Sequence, residues 1–153
     1  MVARSEVVLL ATPWDATEAA LGAIPDFGRR PLLDATNPLG PGFVLTHGHT
    51  DSGAEQVQRW APTARVVKVF NITGQENMAD PLVDGRRALM LACGDDETAR
   101  DLAVRLASDI GFDARAFGGL AEARYLEPMA MVWIRLALVH GAGRGFALGM
   151  LER

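Results

Sequence analysis

The run Val7-Val8-Leu9-Leu10-Ala11 does not alternate between apolar and polar residues. A half-exposed strand alternates, whereas a strand covered on both faces of a parallel sheet stays apolar throughout. The run therefore predicts a strand from the middle of a parallel sheet. Only six residues precede it, so its expected neighbour on one side is not encoded here. That leaves a flat, apolar edge, which invites pairing with another chain. A second copy, a separately made first half, or the chain's own last helix are the expected covers.

Thr12-Pro13-Trp14-Asp15 reads as a helix start. Thr12 suits the cap, Pro13 loses nothing by lacking an N–H, and Asp15 completes a capping-box pattern. The helix is expected to run to about Ala20 and stop by Gly22 or Pro25. Pro31 to Ala35 supplies a second strand, so the opening is one βαβ crossover. Asn37 to Gly42 is a turn region rich in proline and glycine, and Phe43 to Asp51 is a loop by pattern. Ser52 and Glu55 form a second capping-box pair for a helix ending near Trp60. Strands are expected over Arg65 to Phe70 and Arg86 to Cys93, with a polar loop and one helical turn between them. Asp95 or Asp96 starts an amphipathic helix through Ala99, Leu102, Ala103, Leu106 and Ile110, which Gly111 stops. A short strand over Asp113 to Phe117 follows. The last helix, from about Ala121 to His140, is bent or restarted at Pro128 and is apolar nearly all round.

Hydrophobic residues make up 49% of the 153 and charged residues 22%, which fits a globular chain with a real core. The formal net charge of -4, with no basic block, argues against a nucleic-acid surface. A single cysteine, Cys93, excludes a disulfide scaffold and suggests a cytoplasmic protein. Met1 to Glu6 does not read as a leader peptide, and the apolar stretch from Met129 is cut by Arg135 too early for a membrane span.

Several segments, in order, carry a resemblance. These are Ala11 to Asp15, Asp34 to Gly42, Arg65 to Asn71, Gly74 to Pro81, and Leu126 to Trp133. Together they resemble the dinucleotide-binding proteins related to deazaflavin-dependent NADP reductases, over essentially the whole chain. That family opens with a strand and a Gly-x-Gly-x-x-Gly turn, and the segment like Val7 to Asp15 comes later. The resemblance thus implies an α/β fold: an incomplete Rossmann-like, mostly parallel sheet with flanking helices and a long apolar C-terminal helix. It divides the chain into residues 1–118, the C-terminal part of the dinucleotide-binding domain, and 119–153, a helical segment packed on the domain or on a partner. It implies an oxidoreductase-like protein transferring hydride with NAD(P), NADP being the cofactor the family suggests, or with a deazaflavin coenzyme. The family's residue for the NADP 2′-phosphate falls outside the matched segments, so NAD and NADP both stay open. A homodimer, or association with a missing N-terminal half, follows as the expected assembly. The other reading is a noncatalytic remnant, or an oligomer-forming subunit that binds no cofactor.

The ends of parallel strands flank the ligand crevice in such sheets. Thr12, Pro13 and Trp14 follow the first strand, Asn37 and Pro38 the second, and Asn71 the third. The resemblance makes these six the cofactor-lining candidates. A plain helix cap at Thr12 and Asx-turns at Asn37 and Asn71 are the alternatives. Pro38 bars Asn37 from helical geometry. Lys68 lies within its strand and points either to a loop carboxylate or to solvent, without a catalytic assignment. His47, His49 and Asp51 look like metal ligands but lack a further ligand pair, so no metal is assigned. Gly141 to Gly145 has glycines at the wrong spacing for a nucleotide loop and reads as a flexible helix stop. Cys93, Trp133, Met129 and Met131 read as packing residues, and Glu76 as loop wiring or cleft lining.

Overall fold

A computed structural model describes residues 5–153; the opening residues read as lacking a leader lie largely outside them. The chain begins with the expected crossover: β1 (Val8–Leu10), α1 (Trp14–Gly22), β2 (Pro31–Asp34). Then come a small hairpin of β3 (Leu39–Gly40) and β4 (Val44–Leu45), α2 (Gly53–Trp60) and β5 (Arg65–Lys68). β1, β2 and β5 form a parallel sheet in that order, with Leu9 beside Leu33 and Asp34 beside Lys68.

Every residue of β2 is buried, as are Val66 and Val67 of β5. Successive strand residues face opposite sides, so burial of both means that the sheet is covered on both faces. β1 is different: among the described residues it pairs with β2 alone, and Leu9 is 59% exposed. The apolar run is a strand as expected, and among the described residues nothing pairs with its outer edge.

The second half contains α3 (Glu76–Ala79), a hairpin of β6 (Leu82–Val83) and β7 (Arg86–Arg87), β8 (Leu89–Ala92), α4 (Glu97–Ile110), β9 (Asp113–Ala116), a 3-10 turn (Leu120–Glu122) and α5 (Ala123–Leu138). β8 and β9 are parallel, and a reciprocal pair of hydrogen bonds between Lys68 and Cys93 ties β8 to the end of β5. The expected strand from Arg86 to Cys93 is two elements, because Arg86 and Arg87 turn back on β6 across the Asp84-Gly85 turn. The segment after Gly42 is likewise not simply a loop, since Val44 and Leu45 pair with β3.

Helix ends follow the sequence with one exception. Ser52 Oγ accepts from Glu55 N at 3.1 Å and Asp96 Oδ1 from Ala99 N at 2.9 Å. Gly111, at φ +119°, closes α4 in the left-handed conformation that glycine tolerates best. The capping box at Thr12 and Asp15 does not form. Pro13 is the cap residue, and Thr12 Oγ1 instead meets Thr17 Oγ1 at 2.9 Å. Thr17 donates in turn to Pro13 O, so the two hydroxyls serve each other rather than the orphan amides.

α4 packs on β5, β8 and β9, while α2 packs on β5 with α1 and α5 against it. α5 is apolar on two sides for different reasons. Leu126, Ala130, Trp133 and Ala137 are buried, whereas Tyr125, Val132, Leu136 and Val139 are exposed. Among the described residues no helix is long and apolar enough to cross a membrane. The glycine-rich stretch after α5 is not a loose stop. Arg144 pairs with Glu76 and sits 5.8 Å over the Trp133 ring, and Phe146 O accepts from Trp133 Nε1 and Asn77 Nδ2.

Candidate functional site

A cleft of about 790 Å³ lies at the C-terminal ends of β1 and β2. The Ala11 to Asp15 turn forms one wall, Ala35 to Asn37 the floor side, and Leu39 to Pro41 with Thr46 the other wall. Four of the six residues singled out from the sequence, Thr12, Pro13, Trp14 and Asn37, line it. This is the position that strand-end crevices take in open parallel sheets, where α-helix N-termini face the opening.

The other two candidates stand behind that wall. Asn71 is buried and holds Asn37 from the side: Asn37 Nδ2 donates to Asn71 O at 2.9 Å, and Asn71 Nδ2 donates to Asn37 Oδ1 at 3.1 Å. Phe70, at φ +65°, ends β5 in the left-handed region, an unusual geometry for a bulky residue. Asn71 Oδ1 is buried without a hydrogen-bond partner. Pro38 is buried and does not line the cleft; it packs against Gly53, where a Cβ would come within 3.0 Å of its ring.

Charge in the cleft is sparse. Among the described residues, Asp15 is the single ionisable one lining it and Gly40 the single glycine. Among the described residues no Lys or Arg lines it.

Below the floor lies a cluster that sequence reasoning missed. Lys68 is 0% exposed, neither in solvent nor against a loop carboxylate. Its ammonium meets Asp34 Oδ2 at 2.8 Å, Glu127 Oε1 at 3.1 Å and Thr36 O at 2.6 Å. Asp34 is its register partner on β2, and its Oδ1 accepts from Thr36 N and Thr36 Oγ1. Glu127, from α5, also accepts from the first amides of α2, Gly53 N at 2.8 Å and Ala54 N at 3.0 Å. Burial pushes the Lys68 pKa down, but Asp34 and Glu127 outweigh it, so the ammonium sits above its ordinary range and stays charged. No local signal marked the cluster, because Asp34, Lys68 and Glu127 come from three separate elements.

A second hollow of about 650 Å³ adjoins the cleft, sharing Thr46 and lined by His47, His49, Arg124 and Tyr125 among others. His47 packs edge-on against Trp14 at 5.5 Å and bonds Thr46 Oγ1 through Nδ1. Asp51 is taken by Arg59, so the two histidines and this carboxylate do not converge; among the described residues no group of three metal-ligating side chains is present. Glu76 is wired to Arg144 rather than to the cleft. Cys93 is fully buried, and that burial pushes its thiol up to about 12.

No family model matches the chain. The rat metalloreductase STEAP3 is 26% identical over 130 residues, covering 85% of this chain and 26% of the rat protein. The chain thus spans about a quarter of that relative's length. A solved structure of a protein from Sinorhizobium meliloti, hypothetical protein SMa0349, superposes with a TM-score of 0.72 at 24% identity, covering 98% of this chain and 68% of the other; it supports the fold alone. A solved structure from Arthrobacter sp. FB24, provisionally assigned as an F420-dependent NADP reductase, superposes with a TM-score of 0.90 at 31% identity, over 99% of this chain and 72% of its own. By that match, which agrees with the resemblance seen in the strand-end segments, the chain belongs to the family of F420-dependent NADP reductase-like proteins.

Proposed function

We propose that the chain is part of an oxidoreductase that transfers hydride between NADP and a deazaflavin coenzyme, with the β1–β2 cleft taking the uncharged end of a cofactor. The carrying observation is the convergence of Thr12, Pro13, Trp14 and Asn37 on one cleft at the ends of parallel strands. The kinship to a protein described as an F420-dependent NADP reductase supports the choice of chemistry.

The residues present fit a nicotinamide and ribose better than a pyrophosphate. Thr12 and Asn37 offer polar atoms, Trp14 offers a ring, and the wall is otherwise apolar. With Asp15 as the one charge, a diphosphate in the same space would meet repulsion. When bound, the cofactor supplies the hydride and carries the chemistry. The chain's own residues then orient it: Asn71 fixes the Asn37 amide, and Trp14 closes one side against His47 and Trp60.

We read residues 1–118 as the C-terminal part of the dinucleotide-binding domain and 119–153 as the segment that joins it to a partner. A homodimer is the proposed assembly, supported by the exposed row Tyr125, Val132, Leu136 and Val139 on α5. A separately supplied first half is the proposed neighbour of β1, supported by the exposed Leu9. No nucleic-acid partner is proposed, and a cytoplasmic setting is proposed on the strength of a single cysteine that forms no disulfide.

The second reading is a Rossmann-like remnant without cofactor. It is consistent with the sparse charge of the cleft, where Asp15 is the one ionisable lining residue among those described. Titration with NADPH and NADH, read by calorimetry and cofactor fluorescence, separates the two. Saturable binding of either, followed by hydride exchange with a purified deazaflavin, supports the enzyme. No binding up to millimolar cofactor leaves the remnant.

A further inference from the structure

Lys68 is buried as reactive lysines are, but its carboxylate neighbours hold it charged, and it does not open onto the cleft. Its ammonium has three partners within the fold, Asp34, Glu127 and Thr36 O, and the residue is 0% exposed. What it does touch is instructive. Thr36 O, which accepts from Lys68 Nζ at 2.6 Å, belongs to the cleft-lining segment Ala35 to Asn37. Thr36 is held a second time, through its N–H and hydroxyl, by the carboxylate that pairs with Lys68. The same lysine reaches Glu127, which caps α2.

We propose that Lys68 is a positioning residue: it fixes the Thr36–Asn37 wall of the cleft and ties that wall to α2 and α5 through Asp34 and Glu127. The physical basis is local. A backbone carbonyl after a strand end has no ladder partner, and a charged donor in a dry interior holds it more firmly than a neutral one. Asn37 then emerges from a backbone that is pinned one residue earlier, and Asn71 fixes its side chain. The cleft is thus built before any ligand arrives, which spares the cost of ordering it on binding. The part about ligand affinity rests on the cofactor reading above; the part about backbone order does not.

Lys68→Met alone would leave two buried carboxylates facing each other and is expected to unfold the chain. The informative variant is Asp34→Asn with Lys68→Met. It keeps one net negative charge in the cluster, leaves Glu127 on the α2 amides, and retains an oxygen for Thr36. Two measurements decide. Hydrogen exchange with mass readout over residues 35–41 should speed by about tenfold or more, while α4 keeps its wild-type rate. The NADPH dissociation constant should rise by about tenfold or more at a temperature where both proteins are fully folded. Unchanged exchange over 35–41 in a folded variant overturns the proposal. Faster exchange with unchanged NADPH affinity overturns its ligand half. If the wild type binds no NADPH, the cofactor reading fails, and exchange still tests the positioning role. If the double variant does not fold, Lys68→Met with Glu127→Gln, which also keeps one negative charge, takes its place with the same readouts.

Discussion

Glu127 caps the helix that begins at Gly53, although 74 positions separate them in the chain. Its two oxygens take the first two amides of α2 while one of them also meets Lys68. An N-terminal amide pair favours negative charge, and the ammonium favours it again. Glu127→Ala should therefore cost about 3–5 kcal/mol, because it strands buried donors and shifts the balance around Lys68. Urea denaturation followed by circular dichroism measures it. A loss below about 1 kcal/mol would mean that water or a rearranged side chain replaces the carboxylate.

The Asn37–Asn71 pair makes a different forecast. Asn71→Ala removes the donor to Asn37 Oδ1 and leaves the Asn37 Nδ2 bond to the main chain intact. The expected stability loss is about 1–3 kcal/mol, the range for an orphaned buried polar contact. Cofactor affinity, where present, should fall further than stability predicts, since the Asn37 amide is then held by one bond instead of two. Calorimetric titration of NADPH at matched fraction folded tests this. Equal affinity would remove Asn37 from the set of orienting groups.

Much of the fold could be read in advance because local rules dominate it. An uninterrupted apolar run marked β1, mainly apolar runs marked β2 and β5, and the Ser52 and Asp96 caps marked the starts of α2 and α4. The failures have physical causes. At Thr12 the capping rule lost to a hydroxyl pair with Thr17, a contact one turn away that the pattern does not encode. The hairpin of β6 and β7 split a strand because the Asp84-Gly85 turn closes it, with both residues at positive φ. The cleft's outer residues were legible from their strand-end positions, whereas Asp34 and Glu127 were not. Their partner Lys68 becomes visible only when β2, β5 and α5 are brought together, a tertiary fact. The glycine-rich tail after α5 looked like a loose stop because its anchors, Glu76 and Trp133, lie elsewhere in the chain.

The tail contact yields a steric prediction. A Cβ at Gly74 would sit 2.5 Å from Trp133 Cη2 and 2.7 Å from Glu76 Oε2. The first neighbour is a buried ring that cannot swing aside easily. Gly74→Ala should displace Trp133 and cost about 1–3 kcal/mol, the usual range for overpacking. A red-shifted tryptophan emission together with a lower thermal midpoint would report it. An unchanged spectrum would show that the turn at Gly74 moves instead of the indole.

Acid stability should depend on Glu55. Its side-chain hydrogen bonds from Arg124, which bridges from α5, hold the carboxyl below its ordinary value of 4.5, and the Ser52 hydroxyl adds to the effect. A depressed folded pKa means stability that is present above the unfolded value and lost as pH falls through the lower folded one. Denaturation midpoints should hold from neutrality to about pH 5 and then decline. Glu55→Gln should start lower and decline less steeply. Lys68 acts in the opposite sense: its raised pKa gives stability that persists below 10.5 and is lost only at higher pH. An alkaline decline beginning near neutrality would contradict that charge state.

The outer face of α5 carries the last prediction. Tyr125, Val132, Leu136 and Val139 are exposed, with the half-buried Met129 between the first two, at alternating steps of four and three residues. That spacing is the seam by which one helix packs on another. The buried side of α5 already packs on α2 and, through Trp133, on Phe146, which leaves the exposed residues of this seam on the outer face. Val132→Glu with Leu136→Glu should leave the circular dichroism spectrum unchanged. Light scattering after size exclusion should find the wild type at twice the chain mass and the variant at the chain mass of 16.4 kDa. A wild type that stays a single chain at micromolar concentration would reject the homodimer. A variant that remains a dimer would move the interface elsewhere, with the uncovered edge at Leu9 as the surface to test next, because an unpaired parallel strand offers its own row of donors and acceptors to a second chain.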